Sequence, residues 1–508
     1  MVYSKYRAPS TNESGTTPQP AWHSRERKLW LAVGFAGFLF TITIASGLSY
    51  NIPTGIVTQY LETHEQVCGS TAEAFVRTAE DTDIDGPFDY KALAALCKNT
   101  KWREGLVFRL RDSTGGGMGN VKNAFLNSLR FSIEAGGEWH RGRGHSKAGG
   151  NLTDISTASY VMPRMLHRDP CSIAVTHTSN VRDFSYLFDR AYFKSSMKAA
   201  CPMMTIYDDF DSVENHSWAM ESTHLTPNSL DDVLHGYTIA HPHEWRSRFD
   251  RWLGKEVGRP SAQEPIMITL DHAFLLWPML SDPPALVRTF GRVLRSPLRM
   301  RRLAARVLCA LSARYALPID PSIGLAVSGY FGVHLRTDAD AATVGWAGYD
   351  QQASACLEAA TTTNSTLIYA ASGDPEHLAQ LTSDAMERHG ITVTTKSELL
   401  RGEDLEELKA MSWDQQALVD YEVMLKSSFF AGLQQSSFSY NIAVRRHSTL
   451  MSQSVGQWWT EEDLDPSQRP WWSEKESSSS GNESPHDLLS TLLGDRGAGY
   501  MFESTIWP

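Results

Sequence analysis

From Leu29 to Tyr50 the chain carries no charged residue and is dominated by Leu, Ile, Phe, Ala and Gly. That is about the 20 residues a helix needs to cross a bilayer, and it predicts a membrane span. Shorter apolar runs follow. Gly105 to Leu110 reads as a strand, after which Val121, Ala124, Phe125, Ser128, Leu129 and Ile133 recur at helical spacing up to a stop at Gly136-Gly137. Phe184 to Met203 reads as a helix followed by a turn. Ile266 to Leu276 is strand-like, and Leu286 to Leu317 predicts arginine-studded helices with their charges on a solvated face.

The second half alternates more regularly. Strands are expected around Leu325 to Leu335, Thr366 to Ala371, Ile391 to Thr395 and Ser427 to Ala431, separated by helices near Gln351 to Ala360, Pro375 to Arg388 and Trp413 to Lys426. Such alternation predicts a parallel sheet covered by helices. A helix is also expected from about Tyr440, and the apolar patch from Leu488 to Leu493 predicts a short docking helix.

These runs suggest a cytosolic tail (1–28), a transmembrane signal anchor (29–50), a lumenal stem (51–100), an N-terminal α/β domain (101–320), a C-terminal α/β domain (321–470), and a flexible linker and tail (471–508). Arg25, Arg27 and Lys28 precede the span, and no Lys or Arg follows until Arg77, so the positive-inside tendency predicts type II topology. Ala45-Ser46-Gly47 would suit a cleaved signal peptide, but the apolar run and its leader are too long for one.

At 508 residues, 42% hydrophobic and 21% charged, the chain has enough apolar surface for more than one core. A net charge of −11 argues against a general nucleic-acid binder. Cys68, Cys97, Cys171, Cys201, Cys309 and Cys356 all follow the span, an even number that suits an oxidising lumen and matches no zinc-ligand spacing. Asn-x-Ser/Thr sequons at Asn151, Asn215, Asn364 and Asn482 are compatible with a glycoprotein of the secretory route, in the Golgi or the ER.

Three loops carry candidate chemistry. Arg336 follows the predicted strand Tyr330 to His334, and a guanidinium at a strand's carboxyl end is placed to fork onto a phosphate or to pair with a neighbouring acid. Asp112 to Asn120 is a glycine-rich loop between strand and helix, which either cradles an anion at the helix N-terminus or simply turns. It lacks the Gly-Lys-Ser/Thr of a P-loop and the third glycine of a dinucleotide fingerprint. Gln435 to Ser439 offers hydroxyls and N–H groups to a diphosphate, or caps a helix.

His334-Leu335-Arg336 with Asp340, the Gly119-Asn120 pair, Ser436-Ser437-Phe438-Ser439 and the stretch Trp413 to Asp420 together resemble motifs of the GDP-fucose protein O-fucosyltransferase superfamily, in particular a fungal branch of type II membrane proteins. The likeness covers most of Phe108 to His447. It implies an α/β, GT-B-like architecture of two Rossmann-like domains facing across a cleft, and inverting transfer of fucose from GDP-fucose to a protein or glycan hydroxyl. A nucleotide sugar is the implied donor, with no metal and no other cofactor. Arg336 would contact the β-phosphate as the fucosyl bond breaks, with Gly119 and Asn120 beside the fucosyl and diphosphate groups. His334 and Asp340 would position the nucleotide, and Ser436, Ser437, Phe438 and Ser439 would bind phosphate and base. Val121 stands where the family often has Gln, and no general base is assigned.

Two other readings fit the same residues. Asp338-Ala339-Asp340 mimics the Asp-x-Asp that holds a divalent cation in metal-dependent transferases of another nucleotide sugar. A non-catalytic membrane protein on the same scaffold would bind nucleotide without turnover.

Overall fold

Two parallel sheets organise the protein, one from each half of the sequence. The structure, a computed structural model, describes residues 69–508 apart from 85, 112–116, 137–157, 164, 167–180, 211, 213–221, 231–233, 236, 272, 327–328, 455–488, 495–501 and 503–504. The expected tail, span and 477–480 linker, the basic stretch 140–147 and three of the four sequons lie outside the described residues. Among the described residues no helix is long and apolar enough to cross a membrane.

The first sheet contains β1 (Leu106–Leu110), β2 (Ala158–Val161), β3 (Met204–Tyr207), β4 (Thr223–Leu225) and β5 (Ile266–Leu270), in the order β3-β2-β1-β5-β4. The second contains β6 (Phe331–Leu335), β7 (Leu367–Ser372), β8 (Thr392–Thr394), β9 (Phe429–Leu433) and β10 (Ser490–Leu493), in the order β8-β7-β6-β9-β10. Every neighbouring pair is parallel. Parallel strands need covered faces, and β7, Leu-Ile-Tyr-Ala-Ala-Ser, shows the resulting run of buried positions.

In each sheet the first strand sits centrally. The chain fills one side and then crosses to the other, so its direction of travel reverses between β1 and β5 and again between β6 and β9. Ligands of open α/β sheets bind at the carboxyl ends of strands flanking such a reversal.

The main helices are α1 (Gly69–Asp81), α2 (Lys91–Asn99), α3 (Met118–Ala135), α4 (Arg190–Ala200), α5 (Pro242–Trp252), α6 (Pro284–Phe290), α7 (Leu298–Tyr315), α8 (Tyr349–Thr362), α9 (Pro375–His389), α10 (Trp413–Leu425) and α11 (Ser437–Ser454). One hydrophobic core runs from the first sheet to the second through Phe125 and Leu129 of α3, Leu303 and Val307 of α7, Leu418 and Met424 of α10 and Ile442 of α11. A second core covers the opposite face of the second sheet, around Phe331, Val333, Leu357 and Ile368. Because α3 is buried nearly all round, its polar residues need partners inside. Arg130 accordingly forks onto Asp282 at 2.7 and 2.9 Å and lies 4.0 Å from the Trp277 ring centroid.

Several expectations are corrected. Not all the arginines of 286–317 face solvent: Arg292 and Arg301 are buried. Arg292 donates to the Gly86 carbonyl, and Arg301 is drawn to the carboxyl end of α1, whose unpaired carbonyls and partial negative charge attract cations. Arg295 donates to the Glu80 carbonyl at 3.0 Å, Lys426 to that of Ala79 at 2.6 Å, and Arg301 also reaches Glu80. Leu488 to Leu493 yields the edge strand β10 rather than a helix, because the free side of β9 offers unpaired backbone groups to a short run containing β-branched Thr491. Within 184–203 only 190–200 is α-helical, started by the Asp189 side chain accepting from Tyr192 N at 3.0 Å.

Residues 69–99 are packed helices. Ala72, Val76 and Ala79 of α1 lie against Ala305 and Cys309 of α7, and Cys97 of α2 is disulfide-bonded to Cys201. Near the other end, Ile506 and Trp507 are fully buried, with Trp507 4.6 Å from Phe290 between ring centroids.

Candidate functional site

β6 and β9 pair in a register that sets His334 opposite Gly432, so Arg336 and the loop after Leu433 leave the sheet side by side at its reversal point. That adjacency places Arg336 with Ser436 to Ser439, 100 positions further along the chain. The His334 ring Nδ1 lies 2.7 Å from Ser439 Oγ, and the ring is 4.6 Å from that of Phe438. Phe438 also meets Tyr421 of α10 edge-on at 5.9 Å.

The glycine-rich loop arrives from the other sheet. Gly119 lies in the first turn of α3, whose N-cap Gly117 provides no side-chain cap. A Cβ placed on Gly119 would sit 2.6 Å from the Ser437 carbonyl oxygen. Only a hydrogen fits there, which is the physical requirement for glycine at this point. Asn120 follows, half-buried, while Val121 turns into the core, where Gln would find no water. The loops at 119–120, 334–340 and 436–439 therefore meet at one place. Residues 112–116 of the glycine loop lie outside the described residues.

Arg336 itself is largely buried, at 8% exposure. Its guanidinium forks onto Asp338 and onto Asp340, the latter at 2.6 Å, and Trp346 lies 5.8 Å away across a ring face. Both carboxylates of the Asp-x-Asp are thereby engaged by the cation they follow. Gln352 of α8 holds the Arg336 backbone from both sides: its Oε1 accepts from Arg336 N at 2.9 Å and its Nε2 donates to Arg336 O at 2.9 Å. The fork is oriented before anything binds.

Burial drives the His334 imidazole down to about 3, helped by the positive charges of Arg336 and then Lys396. His334 is thus neutral at physiological pH, and serves as a hydrogen-bonding group rather than a cation. Lys396 is paired with Asp420, the last residue of the Trp413 to Asp420 stretch, and Asp420 also accepts from Tyr369 OH at 2.7 Å. Behind the loop, His377 Nδ1 is 3.0 Å from Thr337 Oγ1, and its ring stacks on Tyr349 at 4.9 Å.

Sequence reasoning missed Gln352, His377, Lys396 and Tyr369. For Gln352 a signal existed. It shares a helical stripe with Tyr349, Ala353, Cys356, Leu357 and Ala360, all buried, so a polar side chain there needed a partner. An open pocket adjoins the first turns of α3, lined by Met118, Lys122, Asp83, Arg301, Tyr421 and Arg445 among others, and, from the Trp413 to Asp420 stretch, by Leu418. In it burial would raise the Asp83 carboxyl, but Arg445 at 2.6 Å and Arg292 at 4.0 Å hold it below the usual range. Among the described residues no cluster of three His, Cys, Asp or Glu is arranged around a common point.

Comparison with known proteins agrees with the motifs. The sequence model described as GDP-fucose protein O-fucosyltransferase matches residues 107–449, well over half of the chain. No curated protein matches the sequence. Among solved structures, POFUT1 in complex with GDP-fucose is 14% identical with a TM-score of 0.41, the alignment covering 68% of this chain and 94% of that one. The fucosyltransferase NodZ from Bradyrhizobium is 13% identical with a TM-score of 0.35, covering 68% and 92%. A mutant FUT1 of Arabidopsis thaliana in complex with GDP is 12% identical with a TM-score of 0.35, covering 74% and 77%. On the family match, this chain belongs to the GDP-fucose protein O-fucosyltransferase family and is a glycosyltransferase.

Proposed function

We propose that this glycosyltransferase moves fucose from GDP-fucose to a protein or glycan hydroxyl with inversion at the anomeric carbon, on a GT-B scaffold whose two sheets present their reversal points to one diphosphate. The observation that carries this reading is the meeting of Gly119, Arg336 and Ser437 loops from separate α/β halves. Arg336 stabilises the charge that collects on the β-phosphate as the glycosidic bond breaks, which in such reactions is often the largest catalytic term. The N-terminal turns of α3 and α11 supply N–H groups to the phosphates. Gly119 and Asn120 border the sugar and diphosphate, Ser436 and Ser437 the phosphates, and Phe438 the base. His334 and Asp340 position the nucleotide, with Ser439 acting through the His334 ring.

Asp338 and Asp340 together outweigh the single charge of Arg336. Donor binding therefore requires one carboxylate to yield its place on the guanidinium to a phosphate. The same engagement weakens the metal-dependent reading, since a cation at the Asp-x-Asp would have to displace an arginine from both acids.

The span at 29–50 would anchor the enzyme as a type II membrane protein of the Golgi or ER with the catalytic region lumenal. The Cys97–Cys201 disulfide supports that placement, because such bonds persist in oxidising compartments. The test is a panel of sugar nucleotides offered to the region beyond the span, reading release of GDP or UDP with and without EDTA. GDP from GDP-fucose, undiminished by EDTA, is expected. UDP release or loss with EDTA would move the assignment to a metal-dependent transferase, and GDP binding without turnover would move it to a non-catalytic scaffold.

A further inference from the structure

The reversal point of the first sheet carries a second constellation that the motif residues do not use. Asp271 follows β5 directly, its backbone N–H bonded to the Leu225 carbonyl of β4 at 2.9 Å, and its side chain is only 12% exposed. Its Oδ2 lies 3.0 Å from Nδ1 of His224 on β4, and its Oδ1 lies 3.5 Å from the guanidinium of Arg111. Arg111 follows β1 and opens the glycine-rich loop, its N–H bonded to the Leu270 carbonyl at 2.9 Å. Three adjacent strands thus deliver a histidine, a carboxylate and a guanidinium to one carboxyl edge. The His224 side chain is 52% exposed although its carboxylate partner is buried.

From this we infer that His224 is the general base that activates the acceptor hydroxyl, and that Asp271 is its positioning residue. With Nδ1–H donating to Asp271, Nε2 of the half-exposed ring is left as the proton acceptor. In the step, the acceptor O–H bond gives its proton to Nε2 while the acceptor oxygen bonds the anomeric carbon. The bond from that carbon to the β-phosphate oxygen breaks, and its electron pair leaves with GDP. The imidazolium then releases the proton to water. The charged groups facing His224 from the neighbouring strands, among the described residues, are Asp271 and, across it, Arg111.

The inference rests on GDP-fucose as donor, so the experiment reads donor binding and base function separately. GDP binding by calorimetry and GDP release from GDP-fucose with water as acceptor are measured for the full chain carrying wild-type sequence, His224→Gln, His224→Ala or Asp271→Asn. Expected are GDP affinities within about twofold of wild type in all variants. GDP release should fall by about 100-fold in His224→Gln, in line with the usual worth of a general base. The acidic limb of the wild-type pH–rate profile should vanish in that variant, and added imidazole should restore part of the rate to His224→Ala. Asp271→Asn should lower kcat with little change in KM for the donor. A His224→Gln enzyme that binds GDP and keeps the wild-type rate and pH profile would overturn the base assignment alone. A wild-type protein that fails to bind GDP, or binds it without turnover, would overturn the donor reading and this inference with it.

Discussion

Gly119 of α3 and Ser437 of α11 approach so closely that a methyl group on the glycine would lie 2.6 Å from the serine carbonyl oxygen and 2.8 Å from its hydroxyl. Two helix N-termini from different halves of the sequence meet there, each opening beside the reversal point of its own sheet. Gly119→Ala is expected to force these two backbones apart and to destabilise by about 1–3 kcal/mol, the usual cost of overpacking. Urea unfolding measures the first effect, and calorimetry should show GDP affinity falling with it. Unchanged values for both would mean that the loops do not share a ligand.

Replacing Arg336 by Lys keeps a positive charge and removes the fork, so turnover should fall by about 100-fold or more, as when a preorganised donor is lost. Arg336→Ala should lose as much turnover and also some stability, because two partly buried carboxylates, Asp338 and Asp340, would lose the cation between them. Asp338→Asn should act in the opposite direction on binding. With one competing carboxylate neutralised, GDP affinity should rise by about fivefold, equivalent to the roughly 1 kcal/mol of a partly exposed ion pair.

The depressed His334 imidazole makes a prediction about acid stability. The folded group binds a proton only near pH 3, whereas an unfolded histidine does so near about 6.5. Between those values the unfolded chain holds more protons, so its contribution is complete above about pH 6.5 and is lost progressively as the pH falls toward 3. Denaturation midpoints measured at pH 7, 5 and 4 should drop for the wild type and drop less for His334→Asn. Equal drops would place the ring in a solvated environment.

Cys97 and Cys201 close a loop spanning 104 positions, while Cys309 and Cys356 are buried. Peptide mapping without reductant should recover the 97–201 link, and a thiol reagent should reach Cys356 only after unfolding. Removing the pair by Cys97→Ala with Cys201→Ala should cost about 2–5 kcal/mol. A fully reduced protein of wild-type stability would contradict both the bond and the lumenal setting proposed from it.

Most of the second half was legible because its evidence is local. Helices at 349–362, 375–389 and 413–425 and strands at 331–335, 367–372 and 429–433 follow from the spacing of apolar residues within each segment. The same holds for the site loops, whose glycines, arginine and serines sit where strands give way to helices. Segments whose conformation is set by a neighbour were read less well. Ser490–Leu493 is extended because β9 had a free edge, and Arg301 is buried because α1 brings carbonyls to it.

Pairings across the fold left no trace in spacing. His224 and Asp271 are 47 positions apart, Arg336 and Gln352 are 16 apart, and Gly119 and Ser437 lie in opposite halves of the chain. Periodicity along a chain reports which face of each element is buried, because that depends on residues a turn or two away. Which acid meets which base depends on how whole sheets and helices are laid beside one another, and that information exists only once the chain has folded.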